Sequence, residues 1–228
     1  MITISFQTKY LPPPFSHAYV IRIKEKGKVL HYEFDLEYLD RDGMSTEEMI
    51  HEGAEPESFI SFKGNFNTSW SDILKKEIEK VSLKDEQDAH KDYLFFELEN
   101  GKSGYPRDFD TWSYLLQEMI QAIYELNEKE LPLNILIHLV HENKEILSLQ
   151  ASFAKRTTKV NGKEKPWSFL KESLAFLENC ELSEGPVSKM NNPGAYIDYG
   201  DGLPFRIVGL KNTKNSSEII ALLKDKFV

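Results

Sequence analysis

The sequence predicts an α+β protein, with an antiparallel or mixed sheet built from hairpins and packed by amphipathic helices. Three observations point to it. Leu30, Tyr32, Phe34, Leu36 and Tyr38 alternate with His31, Glu33, Asp35 and Glu37, a period of two that sets an apolar face against a polar one. Trp112, Leu115, Leu116, Met119, Ile120 and Ile123 recur instead at helical spacing. Strand-like runs come in pairs joined by short turns rather than alternating singly with helices, which disfavours a parallel sheet.

Taken in order, Met1–Phe6 reads as a first strand. Pro12-Pro13-Pro14 then separates it from the next hairpin, because proline cannot donate to a ladder. Tyr19, Ile21 and Ile23 form a strand that turns through Lys24-Glu25-Lys26-Gly27-Lys28 into Leu30–Tyr38. Ser45-Thr46-Glu47-Glu48 is a capping box opening a short helix that Gly53 ends. A second helix starts near Ser69, with Trp70, Ile73, Leu74, Glu77 and Val81 roughly on one face. Ser82–Asp92 is polar and charged and reads as a linker. Tyr93–Leu98 is a short strand, Asn100–Gly104 a loop, and about Asp110–Leu126 the longest helix. Leu133–Val140 carries apolar residues on both faces, as a covered central strand does, and turns through Glu142–Glu145 into Leu147–Phe153. Lys155–Lys165 reads as a polar, basic connection with Asn161-Gly162 as a turn. A helix comes after Pro166. Tyr196–Tyr199 and Phe205–Leu210 are strands joined by Gly200-Asp201-Gly202, and a last helix is capped by Asn215 or Ser216. One domain over 1–228 is expected, with 1–82 and 92–228 around the polar stretch as the alternative. No internal sequence repeat stands out, although the two hairpin regions leave structurally related halves open.

Hydrophobic residues at 40% and charged residues at 29% suit a globular chain. The formal charge of −9 repels phosphate backbones, so no nucleic-acid partner is expected; a basic protein partner is the one this charge would attract. The single cysteine, Cys180, cannot form an intramolecular disulfide. No basic region followed by an apolar run opens the chain, and no apolar stretch approaches the roughly 20 residues that span a bilayer. A cytoplasmic protein without membrane contact is therefore expected, its oligomeric state open.

Several segments invite a chemical reading. His138 and His141 lie three apart on a strand and point to opposite faces, unlike the helical pair of a zinc protease. Asp40-Arg41-Asp42-Gly43 lacks the third ligand of a calcium loop and reads as a strand-to-helix turn. Asn100-Gly101-Lys102-Ser103-Gly104 lacks the spacing of a phosphate loop. Lys155, Arg156, Lys159, Lys163 and Lys165 form a basic run without the interleaved aromatics of a nucleic-acid surface. Cys180 has no neighbouring base. Trp70, Trp112 and Trp167 all begin helices, as core anchors do. The segment Tyr196–Phe205 concentrates Tyr, Asp and Gly. Tyr196, Asp198, Tyr199, Asp201 and Phe205 are the surface candidates for recognition, and the two aspartates are candidates for acid–base work.

No cofactor or metal is expected from these patterns. The leading expectation is a non-enzymatic binding protein, a bacterial adaptor, inhibitor or immunity-type protein with a basic partner. The alternatives are a hydrolase or transferase assembled from distant groups such as His138, His141, Asp198 and Asp201, and a subunit of a homo-oligomer.

Overall fold

The structure, a computed structural model, describes residues 1–27, 29–141 and 143–228. Lys28 and Glu142, each expected in a hairpin turn, lie outside the described residues. The fold is α+β, with two seven-stranded antiparallel sheets and five helices among the described residues. The chain divides into two compact units, Met1–Asn127 and Glu128–Val228.

The first unit runs β1 (Ile2–Gln7), β2 (His17–Lys26), β3 (Val29–Tyr38), α1 (Thr46–His51), β4 (Phe59–Asn65), α2 (Thr68–Lys80), β5 (Leu83–Lys84), β6 (Tyr93–Leu98), β7 (Ser103–Pro106) and α3 (Phe109–Leu126). Its strand order is β4-β3-β2-β1-β6-β7-β5. Register aligns Phe62, Phe34, Ile21, Ile4 and Phe96 across five strands, so the alternating apolar residues of each strand meet on one face. Helices cover that face. Trp112 of α3 packs edge-on against Phe96 at 4.7 Å, and Tyr124 meets both Phe34 and Phe62. In α2, Trp70 is fully buried beside Phe66, and Ser71 Oγ accepts from the Leu30 amide. Asn127, just past α3, donates to the Tyr32 hydroxyl at 2.8 Å.

The second unit runs β8 (Leu133–Val140), β9 (Lys144–Ser152), β10 (Thr157–Val160), β11 (Lys163–Lys165), α4 (Ser168–Leu177), β12 (Cys180–Leu182), β13 (Gly194–Asp198), β14 (Phe205–Leu210) and α5 (Ser216–Phe227). Its order is β11-β10-β9-β8-β13-β14-β12. Ile137 sits between Leu147 and Ile197 in the centre of the core, which Leu170, Phe176, Leu223 and Phe227 close from the helices.

Adding seven to each strand number of the first order produces the second. The helices match as well: α2 and α4 each come after the fourth strand, and α3 and α5 each come after the seventh. The two units are therefore two renderings of one topology. Their largest difference lies in one connection. Strands β10 and β11 are joined by Asn161-Gly162 alone, whereas β3 and β4 are separated by residues 39–58, which contain α1. This 20-residue insertion accounts for most of the difference in length between the units.

Four features depart from the sequence reading. Ser82–Asp92, expected as a linker, lies inside the first unit and holds β5, which pairs with β7. The change of unit comes instead at Asn127, directly after α3. Lys155–Lys165, expected as a connection, carries β10 and β11, because Thr158 and Val160 turn inward while the lysines point out. Phe59–Asn65, left unassigned by the sequence pattern, is the edge strand β4. The capping box is as expected: Ser45 and Glu48 bond each other's backbone amides.

Candidate functional site

The insertion begins from a backbone anchor. The Leu39 amide donates to Ser16 O, and the Tyr38 amide donates to Ser58 O where the chain returns. Between these points Arg41 acts as a hub. Only 6% exposed, it donates from Nε to Pro14 O at 2.8 Å and from Nη1 to Glu55 O at 2.8 Å and Glu57 O at 3.2 Å. Its guanidinium carbon lies 3.7 Å from the centroid of the Tyr38 ring. A buried arginine needs such acceptors, and its planar fork can reach three carbonyls at once. The consequence is electrostatic. The lone arginine of the insertion is spent inside, and the acids stay outside.

Asp40, Asp42, Glu47, Glu48, Glu52, Glu55 and Glu57 are all exposed. The Ser45 amide holds the Glu48 carboxyl below its usual range, so that charge persists into acid. Among these carboxylates two large apolar side chains stand in solvent, Ile50 at 60% and Phe59 at 59% exposure. At α1, a shallow depression of about 460 Å³ is lined by Gly43, Met44, Glu47, Glu48, His51 and Glu52. Exposed apolar side chains close in sequence to several acids are the residue types that protein-recognition surfaces use.

Charge is distributed unevenly between the units. The first holds 14 Lys/Arg against 24 Asp/Glu, a formal −10; the second holds 14 against 13, a formal +1. The acidity of the chain thus belongs to the unit that carries the insertion.

The candidates from Tyr196–Phe205 occupy the β13–β14 hairpin. Tyr196 is 2% exposed, lies opposite His138 and Arg206, and donates its hydroxyl to Asn192 O at 2.8 Å. Asp198 is 7% exposed, and its Oδ1 accepts from the amides of Gly200 and Gly202 at 2.8 and 3.1 Å. Asp201 accepts from the Leu203 amide. Both carboxylates are thus used in closing the turn, the ordinary role of aspartate there. Gly200 has φ +99°, and a Cβ on it would come within 2.8 Å of Asn134 O, so the turn requires glycine at that place. Tyr199 remains exposed, and Phe205 packs half-buried on the core.

His138 is half-buried in β8, and His141 lies just past the strand's end in an exposed position. Among the described residues no group of three His, Cys, Asp or Glu side chains is placed to hold a metal. The basic run of the second unit is partly committed to rings: Arg156 lies over Trp167 and Lys165 over Phe169. Burial pushes the Cys180 thiol up to about 11, away from nucleophilic use. A cavity of about 610 Å³ at one end of the first sheet has Ile2, Ile23 and Leu30 in its floor. Two of the rim carboxylates are already paired, Glu25 with Lys75 and Glu99 with the Met1 amine. No helix among the described residues is long and apolar enough to cross a membrane.

Sequence reasoning passed over the insertion because its acids look like ordinary solubilising charge. The signal was present all the same: seven acids against one arginine between two strands. Comparison with protein-family models, with curated proteins and with solved structures finds no match to this chain.

Proposed function

We propose that this protein is a non-enzymatic protein-binding module, of adaptor, inhibitor or immunity type, whose first unit docks a basic protein through the acidic insertion. The observation that carries the reading is the difference between the two units. One topology occurs twice, and the copy that carries the added segment has a formal charge of −10 against +1 for the other. A field of one sign steers an oppositely charged partner and speeds encounter, while Ile50 and Phe59 supply the desolvated contacts that slow release. The hydrolase or transferase reading lacks comparable support, since the carboxylates of Asp198 and Asp201 hold backbone amides.

The test is charge reversal. Proteins that bind the full chain in lysate are identified and compared against the quadruple variant Glu47→Lys, Glu52→Lys, Glu55→Lys, Glu57→Lys. A basic partner is expected whose affinity falls at least about tenfold in the variant and falls with added salt for the wild type. A partner retained equally by both proteins, at all salt concentrations, would count against the reading.

A further inference from the structure

We propose that the outer edge of β4 takes an extended cationic segment of the basic partner as an added strand of the first sheet. This deepens the docking reading and rests on it. Register decides which way the backbone of β4 faces. The Tyr38 amide donates to Ser58 O and the Phe66 amide donates to Leu30 O, so the amides of Ile60, Phe62 and Gly64, at the same parity, also face β3. The amides and carbonyls of Phe59, Ser61, Lys63 and Asn65 then face the other way, where β4 ends the sheet. Four donors and four acceptors stand in a row at strand spacing.

A long edge is a hazard that folded proteins blunt, and this molecule blunts its other three. Strand β5 has two residues. Strand β12 has three and a register shift between Glu181 and Leu182. Strand β11, which occupies the position of β4 in the second unit, has three residues, two of them lysine. Strand β4 has seven, contains no proline, and carries one charge, Lys63, already paired with Glu33 at 3.8 Å. The same topology thus leaves open in one unit the edge that it shortens in the other.

Charge selects the occupant. The insertion delivers Glu55 and Glu57 to the start of β4, and exposed Glu37 lies opposite Phe59 in register. A cationic strand meets opposite charge at that end and the exposed Phe59 ring beside it. A second copy of the chain would bring a second unit of formal charge −10 against the first. Strand addition gives affinity through main-chain bonds and selectivity through alternate side chains, which suits a lysine-rich extended segment.

The test uses hydrogen exchange on the full chain with three probes: a ten-residue peptide of alternating Lys and Val, its Glu–Val counterpart, and the Lys–Val peptide with every amide N-methylated. Saturating Lys–Val peptide is expected to slow exchange at Phe59, Ser61, Lys63 and Asn65 by at least about tenfold, leaving Ile60 and Phe62 unchanged. The other two peptides are expected to give no such protection. Ser61→Pro removes one outward amide and keeps the backbone bonds to β3, giving up only the Ser61 Oγ bond to Asp35; it should weaken the Lys–Val peptide about tenfold while a cooperative melting transition is kept. If that variant fails to fold, the exchange pattern of the wild type decides alone. Binding of the Lys–Val peptide without protection of β4 overturns strand addition and leaves the acidic docking surface standing. No binding at all overturns both. Edge amides already slow in the free chain mean that a second copy or the chain itself covers the edge, and overturn the proposal too.

Discussion

Cys180 begins β12, where burial pushes its thiol from 9.0 up to about 11. Such a thiol holds about a hundredfold less thiolate at pH 8 than an unperturbed one. Its reaction with a disulfide reagent at pH 8 is expected to run about tenfold slower than that of a free cysteine peptide, since the more basic thiolate is also the better nucleophile, and to recover when the chain is unfolded in guanidinium. A native rate equal to the free-peptide rate would show an accessible, unperturbed thiol. At this scale side-chain facing was largely legible. Parity alone put Leu30, Tyr32, Phe34, Leu36 and Tyr38 on the apolar face; the first four are buried, and Tyr38, at the end of the strand, is half-buried. Arg41 was not legible. Between two aspartates it looks like surface, and only the carbonyls of Pro14, Glu55 and Glu57, brought from elsewhere in the chain, give it a reason to be inside. Asp198 was half legible: a turn role could be read from the neighbouring glycines, but its burial could not.

The elements that went unread share one property, which is that few of their residues face inward. In β4, Ile60 and Phe62 mark an inward face, but Gly64 breaks the pattern after two positions. That glycine is there because Tyr32 lies across it: a Cβ would come within 2.6 Å of the Tyr32 hydroxyl. In β10 the inward pair is only Thr158 and Val160. Such runs are stabilised by the neighbouring strand, which the local sequence does not contain. The insertion behaves as an element of its own, with Arg41 as its internal support. Arg41→Lys keeps the charge but loses the fork. It is expected to cost about 2 kcal/mol in urea unfolding and to speed amide exchange at Met44 and Ala54, whose amides bond within the insertion. Unchanged exchange at those two amides would mean that Arg41 does not hold the segment.

Over the whole chain, each unit has a closed set of strand pairings and, in the second, a core whose members all lie between Leu133 and Phe227. A core of this kind needs no strand from outside its unit. Residues 128–228 expressed alone are therefore expected to melt cooperatively and to protect the amides of Ile137 and Ile197, the centre of β8 and β13. A fragment with no melting transition and fully exchanged amides would show that the unit depends on the rest of the chain. The α+β class, the hairpins, the helical caps and the acidity were set by the sequence itself, because propensity, period and charge act over neighbouring residues and survive without knowledge of the fold. The repeated topology, the place where the units divide, the uneven division of charge and the open edge of β4 were decided only in three dimensions. Each depends on which distant strands pair, and strand pairing is specified by the fit of whole faces rather than by any stretch of residues read alone.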